Sequence, residues 1–466
     1  MNRPRAAARL SAVSAALLAW AGTARAQTTP EPSRLETAVG APGWLTLRGS
    51  LRGRYEALDG QFRPGGDGGD QLLTTRLLLF AQARSGPLRF AAELQDSRAA
   101  LGDEGGTITT SEVNTLEPIQ AHLGLTLDDL LVKGSRTDIV AGRFTTDLGS
   151  RRLVAVNVAP NTTTAFTGVR VTFEPTKADS LTLFHSHPQV RLPDDIPSLL
   201  DNEQALDRES AALRFSGAFY ARKLSADTTA EAYAFDLRER DTADRPTRDR
   251  KLLTIGGRLF RKPAEGAWDA EVEAALQTGS TRASSRMLDT RDLDVRAGFV
   301  HLEVGRTLTA AWSPRISLEY DYASGDERAE DGAYGRFDPL FGSRTGDFGP
   351  SGVYGALNRA NISSPGLRLE VQRSKRLDGF IAYRLLHLAE ARDSFAGTDV
   401  RDPTGASGRH AGQHLMGQVR YALVPDSLRL EVGAAALLNG EFLERAPNAT
   451  GEGDTLFGYA DLTFSF

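Results

Sequence analysis

Arginine dominates the chemistry this chain could perform. Arg48, Arg52, Arg54, Arg76, Arg89, Arg143 and Arg170 each stand on the polar side of a segment in which polar and apolar residues alternate. Arg214, Arg258, Arg315, Arg368, Arg384, Arg420 and Arg429 repeat the pattern farther along. A guanidinium is planar, always charged, and able to hold a carboxylate with two parallel hydrogen bonds. Rings of charged side chains set the selectivity of pores. Glu93, Glu319, Glu370 and Glu431 share the same polar sides. They either line the same surface or pair with arginines across neighbouring strands and brace the wall. The expectation is a pore lining in which these arginines and glutamates together meet an anionic solute.

Other chemistries find little support. No Gly-x-Ser-x-Gly elbow, phosphate-binding loop or dinucleotide fingerprint is present, so neither a catalytic residue nor a cofactor is expected. With no cysteine, disulfides, thiolate catalysis and iron–sulfur sites are excluded together. His185, His187, His410 and His414 sit at strand ends without carboxylates at ligand spacing, and read as solvated or girdle residues rather than metal ligands. The run Gly65–Asp70 lacks the residue pattern of a known calcium loop. An outer-membrane barrel hydrolase is the competing class, but no serine–histidine pair stands out.

The elements that must position the arginines are strands. In the first, Leu45, Leu47, Leu51 and Tyr55 alternate with Arg48, Arg52, Arg54 and Glu56; near the end, Leu428, Leu430 and Val432 oppose Arg429 and Glu431. Period-two alternation of this kind recurs from Trp44 onward. Buried charges without partners are too costly for a dry core, so the polar side should be wet and the apolar side should meet lipid. About eighteen such segments are long enough to cross a bilayer at a tilt. Their connections alternate, short (84–87, 175–178, 424–426) against long (97–117, 145–165, 323–364, 389–410). Short periplasmic turns opposite long outer loops are the habit of outer-membrane barrels. The expected fold is therefore all-β: one closed antiparallel transmembrane barrel of about eighteen strands over residues 44–466. A segment near 292–304 is the least regular, because its apolar positions change parity near His301.

The chain ends agree. Arg3, Arg5 and Arg9 precede an apolar run from Leu10 to Ala21, and Ala24-Arg25-Ala26 offers small residues for cleavage. Residues 1–26 thus read as a secretory signal peptide, too short to span a bilayer, and 27–43 as a periplasmic segment. Cleavage would take four of the 55 basic residues and leave 60 acidic ones, for a net charge of about −9. The last strand closes on Phe466, an aromatic end of the kind read by the outer-membrane assembly machinery of Gram-negative bacteria. Expected surroundings are outer-membrane lipid and lipopolysaccharide; nucleic acid is not expected as a partner.

The motifs, taken in order, carry a resemblance. They are Arg52-Gly-Arg-Tyr-Glu56, Leu94-Gln-Asp-Ser-Arg98, Gly142-Arg143 with Leu148-Gly-Ser-Arg-Arg-Leu153, and Phe166-Thr-Gly-Val-Arg170. Tyr322-Ala-Ser-Gly-Asp326, Phe337-Asp-Pro-Leu-Phe341 and Asn361-Ile-Ser-Ser-Pro365 follow. Together they span nearly the whole chain after the signal, and the chain resembles the alginate-export family of outer-membrane porins. The resemblance implies passive passage of an anionic uronate polysaccharide through an arginine-lined barrel, possible periplasmic export components as partners, and no enzymatic step. A general or small-anion porin is the alternative. Two departures are visible: the long late periplasmic turn of well-described exporters is here a short link at Pro425-Asp426, and the lumen faces carry Glu and Asp almost as often as Arg. The loop 323–364 carries Phe337, Phe341, Phe348 and Tyr354, many aromatics for a solvated loop, and is expected to fold inward or cap the pore.

Overall fold

A computed structural model describes residues 35–102, 106–243, 245–328, 330–350 and 352–466. The signal-peptide reading of 1–26 lies outside them, as do residues 27–34 of the segment 27–43. A one-turn helix, Leu35–Ala38, precedes the first strand and is tied to it where the Leu47 N–H donates to Glu36 at 3.2 Å.

The strands are β1 (Leu45–Asp59), β2 (Gly69–Ser85), β3 (Leu88–Ala100), β4 (Asn114–Asp128), β5 (Arg136–Phe144) and β6 (Phe166–Glu174). They continue with β7 (Asp179–Pro188), β8 (Leu213–Lys223), β9 (Thr228–Glu239), β10 (Lys251–Arg261), β11 (Trp268–Thr281), β12 (Leu293–Thr307) and β13 (Arg315–Ala323). The last are β14 (Ala333–Tyr334), β15 (Ile362–Ser374), β16 (Leu377–His387), β17 (His410–Val424), β18 (Leu428–Asn439) and β19 (Thr455–Ser465). β14 is a two-residue piece of a loop, paired in parallel with β12. The other eighteen form an antiparallel wall, with β13 pairing directly with β15 and β19 closing on β1. At that seam Gly49 and Phe466 exchange N–H···O bonds of 2.8 and 2.9 Å. Closure leaves no unpaired edge, which a lipid environment requires of any sheet.

The outer face matches the alternation. Leu123, Leu276 and Leu318 are more than 60% exposed, and Ile255, Leu367 and Val432 stand out beside them. Trp44, Trp268 and Trp312 lie at the short-turn end, where Arg306 covers Trp268 and Arg373 covers Trp312, each at 5.3 Å. Amphipathic rings and long cationic side chains gather in this way at a lipid–water boundary. The helices among the described residues are all short, and none is long and apolar enough to cross a membrane.

The inner face departs from the uniformly wet lumen expected from sequence. At the long-loop end it holds the hydrophobic core. Phe144, Phe166, Phe184, Phe215, Phe235 and Phe299 point inward and are buried, and the loop residues Phe337, Phe348, Tyr354 and Phe395 pack there too. The parity change in β12 now has a cause. Leu293, Val295, Ala297 and Phe299 face this inner core, whereas Leu302 and Val304, nearer the short-turn end, face outward. One continuous strand thus carries its apolar side inward at one end and outward at the other. Its inner environment changes from packed loop to water.

Candidate functional site

Two long loops enter the barrel and meet inside it. Segment 145–165, after β5, and segment 324–361, after β13, are bridged in parallel at Val154 and Phe341. The Phe341 ring packs on Phe166 and Phe215, with centroids 5.5 and 5.0 Å apart. Arg152 joins the two loops to the wall: it donates to Asp347 at 2.9 Å on the second loop, to Glu273 at 2.7 Å on β11, and to Glu271. Arg359 makes a second ion pair with Asp347. Farther round, the Val353 N–H donates to Glu56 at 2.9 Å. A side chain at Gly352 would collide with that carboxylate, and its φ of +78° suits glycine. The inward fold expected of the loop 323–364 is therefore present, but 145–165 contributes equally. A cavity of about 60 Å³ remains between the loops and the wall, and one of about 70 Å³ between the two loops themselves, each room for about two waters.

The expected pore arginines fall into four groups. Arg258, Arg315, Arg368 and Arg384 pair with wall carboxylates. Arg258 holds Glu271 through two bonds of 2.9 and 2.8 Å, Arg368 meets Glu370 at 3.0 Å, and Arg384 pairs with Asp321 at 2.7 Å and with Glu319. Arg315 reaches Asp269, Glu303 and, at 2.9 Å, Glu370. Arg89 with Asp138, Arg420 with Asp378 and Arg54 with Glu56 are likewise neutralised. Arg52, Arg76 and Arg170 instead hold loop 145–165: the first two donate to carbonyls of 158–160, and Arg170 to Thr145 O and Thr146 Oγ1. Arg48 and Arg429 point into the lumen near the short turns, exposed and without an ion-pair partner among the described residues. Among the glutamates, Glu93 accepts from Gln120, and Glu431 accepts from Tyr459 Oη at 3.0 Å.

Arg143 and Arg214 correct the expectation. Both sit opposite buried inward phenylalanines, Phe144 and Phe215, and so point away from the lumen. Arg143 is clamped by Glu117 and Glu209, and Arg214 lies exposed, in register with Arg238. The alternation at these strand ends misled because the inward set there is apolar. His414 corrects a second reading. It is fully buried, stacked on Tyr354 at 5.6 Å, and not solvated.

Sequence reasoning missed Arg84, an exposed inward arginine on β2, and the Arg152–Asp347–Arg359 junction. Arg152 does lie in the stretch Leu148–Leu153 that carries the family resemblance, so a signal existed. It also missed His301, whose Nδ1 lies 2.8 Å from Asp321. The ligand atoms of His301, Asp321 and Asp347 come within 4.8 Å of one another, spacing that could suit a metal ion. The carboxylates are already matched by Arg384, Arg152 and Arg359. A cation there would face three guanidiniums, and the cluster is better described as an ion-pair network.

One loop carboxyl is poised to titrate. Burial raises Glu112 to about 7, although the Thr109 N–H and hydroxyl both donate to it; Glu56 adds repulsion and Arg344 offsets part of it. A carboxyl whose folded pKa exceeds its unfolded value stabilises the fold most below about 4.5 and loses that contribution as pH rises through about 7. Unfolding of the refolded barrel should therefore show a contribution from Glu112 that lowers stability by about 3 kcal/mol between pH 4.5 and 7.5. In Glu112→Gln that share of the slope should vanish; an unchanged slope would assign it elsewhere.

Comparison with known proteins agrees with this architecture. The alginate-export family model matches residues 43–456. Among solved structures, Acinetobacter baumannii OccAB1 superposes with a TM-score of 0.59 at 11% identity, covering 91% of this chain and 96% of that one. Pseudomonas aeruginosa OccK8 (OprE) gives 0.55 at 15%, covering 91% and 98%, and the outer-membrane protein opdK of the same organism 0.54 at 12%, covering 90% and 98%. No curated protein matches it in sequence. The closed barrel, its lipid-facing outer surface and the match over most of its length place it in the outer membrane as a channel, and the chain belongs to the alginate-export family.

Proposed function

We propose that this channel passes a carboxylate-bearing saccharide of the uronate type from the periplasm outward. The observation that carries the reading is an arc of exposed inward arginines at the short-turn end. Arg84 on β2, Arg48 on β1 and Arg429 on β18 have no ion-pair partner among the described residues, and they lead toward Arg52 and Arg76. Short turns face the periplasm in barrels of this kind. Unpaired cations at that mouth concentrate anions where an exported polyanion would enter. The family name fits an anionic polysaccharide. A second reading, uptake of small anions, is favoured by the inward packing of loops 145–165 and 324–361, which takes up room inside the barrel.

Planar-bilayer recording on refolded protein separates them. Oligogalacturonates added on the short-turn side should interrupt the current more often as chain length grows. In Arg48→Gln/Arg84→Gln/Arg429→Gln their on-rate should fall about tenfold, the lower end of electrostatic focusing. Equal block by succinate would favour the small-anion reading. No block by either would remove both.

A further inference from the structure

Arg52 and Arg76 differ from every other buried arginine of the wall. They are register partners on β1 and β2, both turned into the lumen and less than 10% exposed. Their guanidiniums are met by neutral oxygens of the inward loop. Arg52 donates to Val158 O and Ala159 O at 3.1 Å, to Pro160 O at 2.8 Å and to Asn161 Oδ1 at 3.1 Å. Arg76 donates to Val158 O at 2.8 Å and Pro160 O at 3.0 Å. The nearest carboxylate oxygen, on Asp461, stands 3.6 Å from Arg52 Nε. The Nε atoms of both arginines are buried without a hydrogen-bond acceptor. Arg258, Arg315 and Arg384, in contrast, are each held by two or more carboxylates.

Two adjacent buried cations with mainly neutral acceptors form an incomplete arrangement. A carboxylate offers a guanidinium a full opposite charge and two parallel hydrogen bonds where a backbone carbonyl offers a dipole, and like charges repel strongly away from water. An anionic oxygen therefore has more to gain here than the carbonyls that now occupy the site. Those carbonyls belong to a short span. Asn161 fixes its far end, donating to Thr75 O at 2.9 Å, Arg98 O at 3.2 Å and Glu112 O at 2.8 Å. Within the span Val158 is 52% exposed, and Ala159 borders both cavities. A solute arriving in the lumen can reach it.

We propose that Arg52 and Arg76 form a paired-guanidinium site for a carboxylate, occupied in this structure by the chain's own carbonyls of residues 158–160. A carboxylate of the solute takes their place, and the displaced span opens the lumen. The inference rests on the anionic-solute reading above and adds to it that the solute itself releases the loop. A ligand that binds only the displaced state shifts the population toward it.

The absence of native cysteine makes a test direct. The full chain after the signal, carrying Ala159→Cys and refolded into vesicles, is labelled with a water-soluble thiosulfonate in the presence of trigalacturonate or of maltotriose, a neutral trisaccharide. Trigalacturonate should speed labelling about tenfold, what one charge-assisted hydrogen bond is worth, and maltotriose should not. Adding Arg52→Gln/Arg76→Gln should make labelling fast without ligand and abolish the response. Current block by trigalacturonate with unchanged labelling would overturn the inference while leaving the channel reading intact. Equal acceleration by maltotriose would also overturn it. If succinate speeds labelling and trigalacturonate does not, the site stands and the uronate cargo falls. The ligand arms need no arginine variant, so misfolding of the double variant does not spoil the test.

Discussion

Arg152→Ala is expected to lower the stability of the refolded barrel by about 3–5 kcal/mol, the usual cost of removing one partner from a buried ion pair. Arg152 is 6% exposed and touches three carboxylates on two different elements. Glu271 retains Arg258 and Asp347 retains Arg359, so the loss falls mainly on Glu273. That residue is 2% exposed, and its other hydrogen bond, from Tyr233 Oη at 3.0 Å, comes from a neutral group. An ionised carboxylate left so is strongly unfavourable. The same substitution removes the ion-pair link between loops 145–165 and 324–361 and leaves their backbone bridge at Val154 and Phe341. A larger and noisier single-channel conductance should therefore accompany the loss of stability. Guanidinium unfolding in vesicles, followed by tryptophan fluorescence, measures the first effect and bilayer recording the second. Adding Glu273→Gln should restore part of the stability but not the quiet closed state. Stability recovered together with closure would mean that the loops are held by something else.

Leu276→Arg is expected to cost about 2–4 kcal/mol in vesicles, the range for an arginine facing lipid near the bilayer midplane. Leu276 is 71% exposed, lies toward the middle of β11, and has Ile255 of β10 as its outer neighbour. On a surface facing water, so exposed a leucine would tolerate arginine within about 0.5 kcal/mol. The measurement thus asks what solvent covers the outside of the barrel. A cost of a few tenths would contradict a lipid-facing wall. Placed near Trp268 instead, the same charge should cost little, because Arg306 already lies there against the ring.

Much of the wall was legible because its determinants are local. Alternation is a property of neighbouring residues: Leu45, Leu47 and Leu51 must share a side, whatever the rest of the chain does. Turn length is local as well, so the two-ended pattern of short and long links survives into the structure. The arginines were legible as a set, and the sides of Arg48, Arg258 and Arg315 were read correctly. Arg143, Arg214 and the inward apolar face of β12 were not. Alternation identifies two sides but not which solvent each side meets.

What the sequence by itself determined is the barrel: its strands, its closure and the basic character of one face, all written in period-two patterning and turn chemistry. What only the tertiary structure decided is how that face is used. Whether an arginine greets a solute, neutralises Glu319 or grips the carbonyl of Val158 depends on residues brought together from across the chain. Arg52 meets a loop more than a hundred positions away, and Arg152 meets Asp347 across nearly two hundred. Side-chain charge pairing follows distance in space, which barrel closure and loop docking set and strand patterning does not encode.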